Sequence, residues 1–249
     1  MQDREAGVTR PGQWLLTSRL AGVVEILAVF GVGVVVITVG APRVGDNPLA
    51  RGGVVWVANI LMLATVWLGL RLRGQGWRHF GLTLSPARPR AVLRAFVTSL
   101  AVFVAALGSF VVGAIAMGMI LGRPEAADLS GYDALRGNLP LLLLVLALVY
   151  VSSSFGEEVT YRGFLITRIA ELGSGGRGAW RIGVLISSVV FGLIHFSWGP
   201  AGMVQTGVMG LALGLCYLAI GRRLWPLILA HAYLDSILLV QVFQAPPPV

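Results

Sequence analysis

The chain has 249 residues, of which 56% are hydrophobic and only 12% are charged, and its mean hydropathy is +0.82. A soluble domain carries about 25% charged residues, so this composition excludes an ordinary soluble protein and predicts a membrane protein with several spanning helices. The formal net charge of +8 comes from 19 arginines and no lysine, most of them in short links between apolar runs. That pattern is typical of membrane topology signals, so we predict no nucleic-acid partner.

Seven apolar stretches approach or exceed the length needed to cross a hydrocarbon core of about 30 Å. In chain order they are Leu20–Ala41, Val54–Leu72, Ala95–Leu121, Leu139–Arg168, Ile182–Ser197, Met203–Ile220 and Leu224–Phe243. The predicted fold class is therefore all-α, a polytopic membrane helix bundle of about seven to eight transmembrane helices. We expect one compact membrane domain with N-terminal spans over residues 1–138, a helical core over 139–243 and a Pro-rich tail over 244–249.

The links between the stretches alternate in charge. Arginines crowd the second, fourth and sixth links, whereas the third carries Glu125, Asp128 and Asp133. The positive-inside rule then places the N-terminus in the cytoplasm. Arginine usage without lysine is associated with GC-rich bacterial genomes, so we expect an integral protein of a bacterial plasma membrane. A processed signal peptide ending near Ala41 is the alternative for the first stretch.

Several polar positions have simple structural interpretations. Glu25 lies near one end of the first span, and we expect it to pair with Arg19 or with a neighbouring helix. No acidic residue lies near His79 in the sequence, so we expect His79 to be solvated or to face lipid headgroups rather than to act as a ligand. The surrounding segment WRHFGLTL can lie on the membrane surface with Trp77, Phe80 and Leu82 facing lipid. The single cysteine, Cys216, excludes an internal disulfide.

Three of the later stretches carry ionisable residues within apolar sequence, where charge is expensive and marks a functional site by default. These residues are Glu157, Glu158 and Arg162 in the fourth stretch, His195 in the fifth, and His231 and Asp235 in the seventh. Counted inward from the arginine-rich ends, their depths range from roughly 12 to 21 Å at 1.5 Å per residue. Because these depths fall in one band, we expect the residues to converge on one site.

Helical spacing divides the roles. Glu158 and Arg162 are four residues apart with the acid first, which is the favourable order for an ion pair on one face. Glu157 points about 100° away from Glu158, so it remains available as a general base. His231 and Asp235 have the same four-residue spacing, so the carboxylate can orient the imidazole or help to bind a metal or a substrate.

The same residues form three motifs in order. Glu157-Glu158-Val-Thr-Tyr-Arg162 fits EExxxR, Phe191-Gly-Leu-Ile-His195 fits FxxxH, and His231-Ala-Tyr-Leu-Asp235 fits HxxxN/D. Over roughly residues 139–240 the chain thereby resembles the CAAX-protease and bacteriocin-processing (CPBP, or Abi) family of intramembrane endopeptidases. The resemblance implies hydrolysis of a peptide bond in a prenylated CAAX-type or other membrane-associated peptide.

The resemblance also implies residue roles. Glu157 and His195 would activate the attacking water, and His231 with Asp235 would position the carbonyl or stabilise the oxyanion. Glu158, Arg162 and Phe191 would support the site. The family's last motif often has Asn where this chain has Asp235. Because an ionised carboxylate cannot donate a hydrogen bond, orientation of His231 is the more natural role for Asp235.

Two mechanisms fit these residues, one with a metal ion and one without. Glu157, His195 and His231 can hold Zn²⁺ or another divalent ion with an open fourth position. The HExxH motif is absent, and a metal-free mechanism with a Glu/His pair is the alternative.

Two other functions compete with proteolysis. In a proton- or ion-coupled transporter, the same residues would form a relay through the membrane, but we find no inverted repeat of the kind common in transporters. A non-catalytic scaffold or immunity protein would not need this set of ionisable residues, which are energetically costly within a membrane.

Overall fold

The computed structural model describes residues 9–83, 89–122 and 130–246, and every regular element in these ranges is helical. The main helices are α1 (Arg10–Thr17), α2 (Arg19–Gly40), α3 (Pro48–Leu72), α4 (Pro89–Leu121), α5 (Leu139–Leu172), α6 (Arg177–Leu193), α7 (Gly199–Ala219) and α8 (Trp225–Gln244). Short 3₁₀ turns occur at Ala41–Arg43, Trp77–Phe80, Ser130–Leu135 and Phe196–Trp198. The predicted all-α class is confirmed.

Six helices in the described ranges are long and apolar enough to cross a membrane, namely α2, α3, α4, α5, α7 and α8. Helix α6 has 17 residues, which corresponds to about 26 Å, so it is shorter than each of these six. The expected number of seven to eight spanning helices is therefore approximate. Residues 123–129 of the acidic link and 247–249 of the Pro-rich tail lie outside the described residues.

The helices begin where the sequence supplies capping side chains. Ser18 and Asn47 accept hydrogen bonds from backbone amides in the first turns of α2 and α3, and Asn138 does so for α5. Proline follows Asn47 and lies at the second position of α5, where its missing N–H costs no helical hydrogen bond. Capping satisfies amides that would otherwise be unpaired, which explains why these helices begin at those residues.

Helix α4 packs along α7 and α8, α6 packs along α5 and α7, and α2 pairs with α3. The 3₁₀ turn at Trp77–Phe80 inserts into this bundle, because Phe80 is fully buried against Phe164. The expectation that Phe80 faces lipid is therefore wrong. Gly81 next to it has a φ of +90°, and a Cβ there would clash with the carbonyl of Arg222. Only glycine fits this close approach between two links.

A buried ion-pair network joins the helices at the arginine-rich end. Glu25 of α2 pairs with Arg73 at 2.5 Å and with Arg168 at 3.2 Å. Arg168 also bonds Glu171 at 2.8 Å, and Glu171 lies 2.7 Å from His79. Glu25 thus pairs with neighbouring helices, as one of the two expectations held. His79 is exposed, as expected, although its partner Glu171 is distant in sequence.

Candidate functional site

The centre of α5 departs from α-helical geometry. Tyr150–Phe155 and Glu158–Leu165 are π-helical, and Glu157 lies between these two stretches. Short π-helical segments inside α-helices occur frequently at functional sites. Every residue from Glu158 to Leu165 is buried, so this part of α5 presents its polar side chains to protein rather than to lipid.

Glu158 holds two cationic or polar partners on one oxygen. Its Oε1 accepts a hydrogen bond from Arg162 at 2.8 Å and lies 2.8 Å from Nδ1 of His231. Arg162 also lies over the ring of Phe191, 4.1 Å from the ring centroid. Glu158, Arg162 and His231 are all buried. The spacing correctly places Arg162 on Glu158, and the structure adds His231 to that pair.

Asp235 is not the hydrogen-bond partner of His231. The closest approach, from His231 Nε2 to Asp235 Oδ1, is 3.8 Å, which is too long for a hydrogen bond. Instead, the hydroxyl of Ser154 in α5 donates to Asp235 Oδ2 at 2.7 Å. The imidazole of His231 is therefore oriented by Glu158, and the role assigned to Asp235 from helical spacing is corrected. One turn of helix brings Asp235 near the ring but not into bonding distance.

Glu157 keeps one oxygen without a protein partner. Its Oε1 accepts a hydrogen bond from Asn59 Nδ2 of α3 at 3.3 Å, while Oε2 is buried and has no hydrogen-bond partner among the described residues. A buried carboxylate oxygen without a donor is costly. Such an oxygen is suited to accept a hydrogen bond from a water molecule or a substrate.

His195 lies just beyond the C-terminal end of α6, which is Leu193. The predicted span extended to Ser197 and would have placed His195 within the helix. Its Nδ1 is 2.7 Å from the carbonyl oxygen of Phe191, and its ring packs at 4.8 Å from the Phe191 ring. A carbonyl only accepts, so Nδ1 carries a hydrogen. In the neutral imidazole, Nε2 is therefore the acceptor.

A cavity of about 1740 Å³ joins these side chains. Its walls include Glu157, Phe191, His195, His231 and Asp235, whereas Glu158 and Arg162 are not among its lining residues. The structure thus brings the first set together around one space. Drug-sized ligands occupy cavities of about 300–1,000 Å³, so this cavity can hold a larger substrate.

Two residues outside the predicted set also line the cavity. One is Asn59, the single amide side chain in the apolar run of α3. A lone polar residue among apolar ones was the only feature of the sequence that could have indicated its role. The other is Tyr132 in the link before α5. Burial, together with the carboxylates of Asp235 and Glu157, raises the pKa of Tyr132 above its ordinary value. The phenol therefore stays protonated at neutral pH and can donate a hydrogen bond into the cavity.

The side chains as placed do not form a ready metal centre. Within the described ranges, no three His, Cys, Asp or Glu side chains lie close enough to hold one ion. His231 directs Nδ1 to Glu158, and His195 directs Nδ1 to a backbone carbonyl. The expected ligand set of Glu157, His195 and His231 does not fit a metal in this arrangement, so we route no chemical step through one.

Comparison with known proteins gives one family. Residues 139–237 match the family described as type II CAAX prenyl endopeptidase Rce1-like. The resemblance inferred from the three motifs is thereby confirmed, and the matched segment contains every motif residue. No curated protein matches the chain, and no solved structure matches it.

Proposed function

We propose that the protein is an intramembrane endopeptidase, because residues 139–237 match the Rce1-like family of type II CAAX prenyl endopeptidases. The family and the apolar helices indicate an integral membrane protein with CAAX-protease-type hydrolase activity. The observation that carries the catalytic assignment is the buried, unpartnered Oε2 of Glu157 in the cavity shared with His195.

Glu157 acts as the general base in the proposed mechanism. A water bound between Oε2 of Glu157 and Nε2 of His195 loses a proton to the carboxylate, and its oxygen attacks the carbonyl carbon of the peptide bond. The imidazole of His231 or the Tyr132 hydroxyl donates a hydrogen bond to the oxyanion that forms. The proton held by Glu157 then passes to the leaving nitrogen as the carbon–nitrogen bond breaks, which gives an amine and a carboxylic acid and restores the Glu157 carboxylate.

The cavity also supports the proposed kind of substrate. Its apolar walls include Ile26, Phe30 and Val34 of α2 and Ile186 and Val190 of α6. Helices α2 and α6, both fully described, do not pack along each other. An apolar chain attached to the peptide, such as a prenyl group, can therefore occupy the space between them while the peptide bond reaches Glu157. Prenylated CAAX-type peptides are the first substrates to test.

The catalytic assignment predicts that Glu157→Ala or His195→Ala loses peptide cleavage in liposomes by about 10²–10⁴-fold, the usual contribution of general acid–base catalysis. Both variants should still elute as folded protein. Thr65→Val is the control, because the Thr65 hydroxyl bonds the Leu61 carbonyl of its own helix and Thr65 does not line the cavity. Cleavage by either alanine variant at the wild-type rate would contradict the assignment.

Preference for a prenylated substrate and dependence on a metal ion can both be measured on the same protein preparation. Matched peptides with and without a prenyl group should differ in KM, with tighter binding of the prenylated form because it fills apolar volume. Metal analysis and cleavage after chelation should show whether activity depends on a bound ion. Retained activity after complete metal removal would support the Glu/His mechanism, and its loss would require a rearranged ligand set.

A further inference from the structure

The two ends of the bundle can be identified from contacts between the links. At one end, Leu72 O accepts hydrogen bonds from Thr9, and Gly81 O accepts from the backbone amide of Leu224. At the other end, the amide of Gly137 donates to Phe243 O, and the Arg136 side chain donates to Pro246 O. Each end is therefore a layer of links that contact one another.

Arginines are distributed very unequally between these ends. In the described part of the chain, the end that includes Leu72 and Leu224 carries Arg10, Arg19, Arg71, Arg73, Arg78, Arg90, Arg94, Arg168, Arg177, Arg181, Arg222 and Arg223. The opposite end carries Arg43, Arg51 and Arg136, with Asp46 and Asp133 against them. The positive-inside rule places the arginine-rich end in the cytoplasm.

The polar part of the cavity belongs to the opposite end. The links that line it are those around Asp46, Tyr132 and Ser197, together with Gln241 near the end of α8. No lining residue comes from the described parts of the links at the arginine-rich end, residues 73–83, 173–176 and 220–224.

Toward the arginine-rich end the cavity finishes on apolar side chains. These are Ile26, Leu165 and Ile169. Beyond them lies the buried network of Glu25, Arg73 and Arg168, in which the two arginines are 6% and 1% exposed. A smaller pocket at that end reaches Arg73 and Arg168 but shares no lining residue with the cavity.

We propose that the catalytic cavity opens to the non-cytoplasmic side of the membrane. The substrate is then a membrane-anchored peptide whose cleaved bond reaches Glu157 from that side, with its apolar anchor between α2 and α6. A peptide free in the cytoplasm is excluded as the substrate. The direction of opening rests on charge and geometry alone, whereas the cleavage step rests on the function proposed above.

The opening can be tested by labelling single cysteines. In a Cys216→Ser background, Ser197→Cys lies at the cavity mouth and Arg177→Cys lies at the arginine-rich end, and both positions are exposed. A membrane-impermeant maleimide added to sealed right-side-out vesicles should label Ser197→Cys and leave Arg177→Cys unlabelled until the vesicles are permeabilised. The reverse pattern would overturn the proposal.

Sidedness of cleavage provides the second test. A lipid-anchored reporter peptide that cannot cross the membrane is added to right-side-out and to inverted vesicles. Cleavage should occur in the right-side-out vesicles and be lost in the inverted ones, and preferential cleavage in inverted vesicles would contradict the inference. If a full peptide panel is not cleaved even in detergent, the proposed function fails, while the labelling result still decides the direction of opening.

Discussion

At the residue scale, Glu158 and Asp235 differ in the number of hydrogen bonds that their carboxylates accept. Glu158 Oε1 is shared by Arg162 and His231, all three of them buried, whereas Asp235 receives one hydrogen bond, from Ser154. Breaking a buried ion pair from one side costs about 3–5 kcal/mol, because the remaining charge is left without a partner. Glu158 therefore supports both the fold and the orientation of His231.

The contrast predicts that Asp235→Asn keeps most of the activity. Asparagine retains an oxygen that can accept from Ser154 Oγ, and the hydrogen bond between Glu158 and His231 is unchanged. We expect kcat within about tenfold of wild type, or about 1.4 kcal/mol, measured with one lipid-anchored peptide. Asp235→Leu is the companion variant, because it leaves the Ser154 hydroxyl unpaired. A loss in Asp235→Asn as large as that in Glu157→Ala would show that the carboxylate itself takes part in the reaction.

Asn59 is predicted to position the general base. Its Nδ2 donates to Glu157 Oε1 and so directs Oε2 toward the cavity. Asn59→Leu removes the donor at similar volume, and the loss of one hydrogen bond to a charged group, worth about 1.5–3 kcal/mol, should lower kcat by roughly tenfold to a hundredfold.

Because Asn59 belongs to α3, whereas the apolar anchor is proposed to lie between α2 and α6, KM should stay near wild type. A purely structural role would instead lower thermal stability and leave the kcat of the folded fraction unchanged. Thr65→Val on the same helix, which changes a half-buried side chain outside the cavity, is the matched control.

Packing between α5 and α6 determines the geometry of the site at the scale of elements. Gly183 of α6 lies so close to α5 that a Cβ there would sit 2.8 Å from the carbonyl oxygen of Ile166, and Ser187 donates to Tyr161 O at 2.9 Å. This contact holds α6 against the π-helical part of α5. It also fixes where α6 ends and where His195 lies.

Gly183→Ala should therefore separate the two helices and lower both thermal stability and activity. Alanine raises helix propensity by about 0.8–1.0 kcal/mol relative to glycine, so a fall in stability would isolate the steric effect. Gly178→Ala is the matched control on the same helix, since no atom lies within 4 Å of a Cβ there. Equal melting temperatures for the two variants would contradict this account.

Sequence patterns predict the helices themselves but not the features that depend on contacts between helices. Hydropathy predicts the main helices, and four-residue spacing predicts the Glu158–Arg162 pair, because both are local properties. The π-helical turns and the end of α6 at Leu193 depend on packing between helices, so α-helical spacing placed His195 inside a helix. The partner of His231 was missed for the same reason, because Glu158 is 73 residues away.

At the scale of the whole molecule, the α2–α3 pair is attached to α5, the helix that carries Glu157. Glu25 supplies this link at the arginine-rich end, because its carboxylate bonds Arg73, directly after α3, and Arg168 of α5. The sequence indicated only that Glu25 needed a partner. Which helices it joins depends on the tertiary arrangement, and so does the width of the cavity that α2 shares with α6.

Removing this link is expected to unfold the protein more readily than any change in the outer links. Glu25→Ala leaves two buried arginines without their shared carboxylate, and the cost should be about 3–5 kcal/mol, as for other buried pairs broken from one side. Asp46→Ala is the control, because the Arg51–Asp46 pair is exposed and such pairs contribute little. Thermal unfolding in one detergent should show a lower Tm for Glu25→Ala and no measurable change for Asp46→Ala. If Glu25→Ala melts with the wild type, the network does not hold the α2–α3 pair, and the seal at the arginine-rich end must come from apolar packing at Leu165 and Ile169.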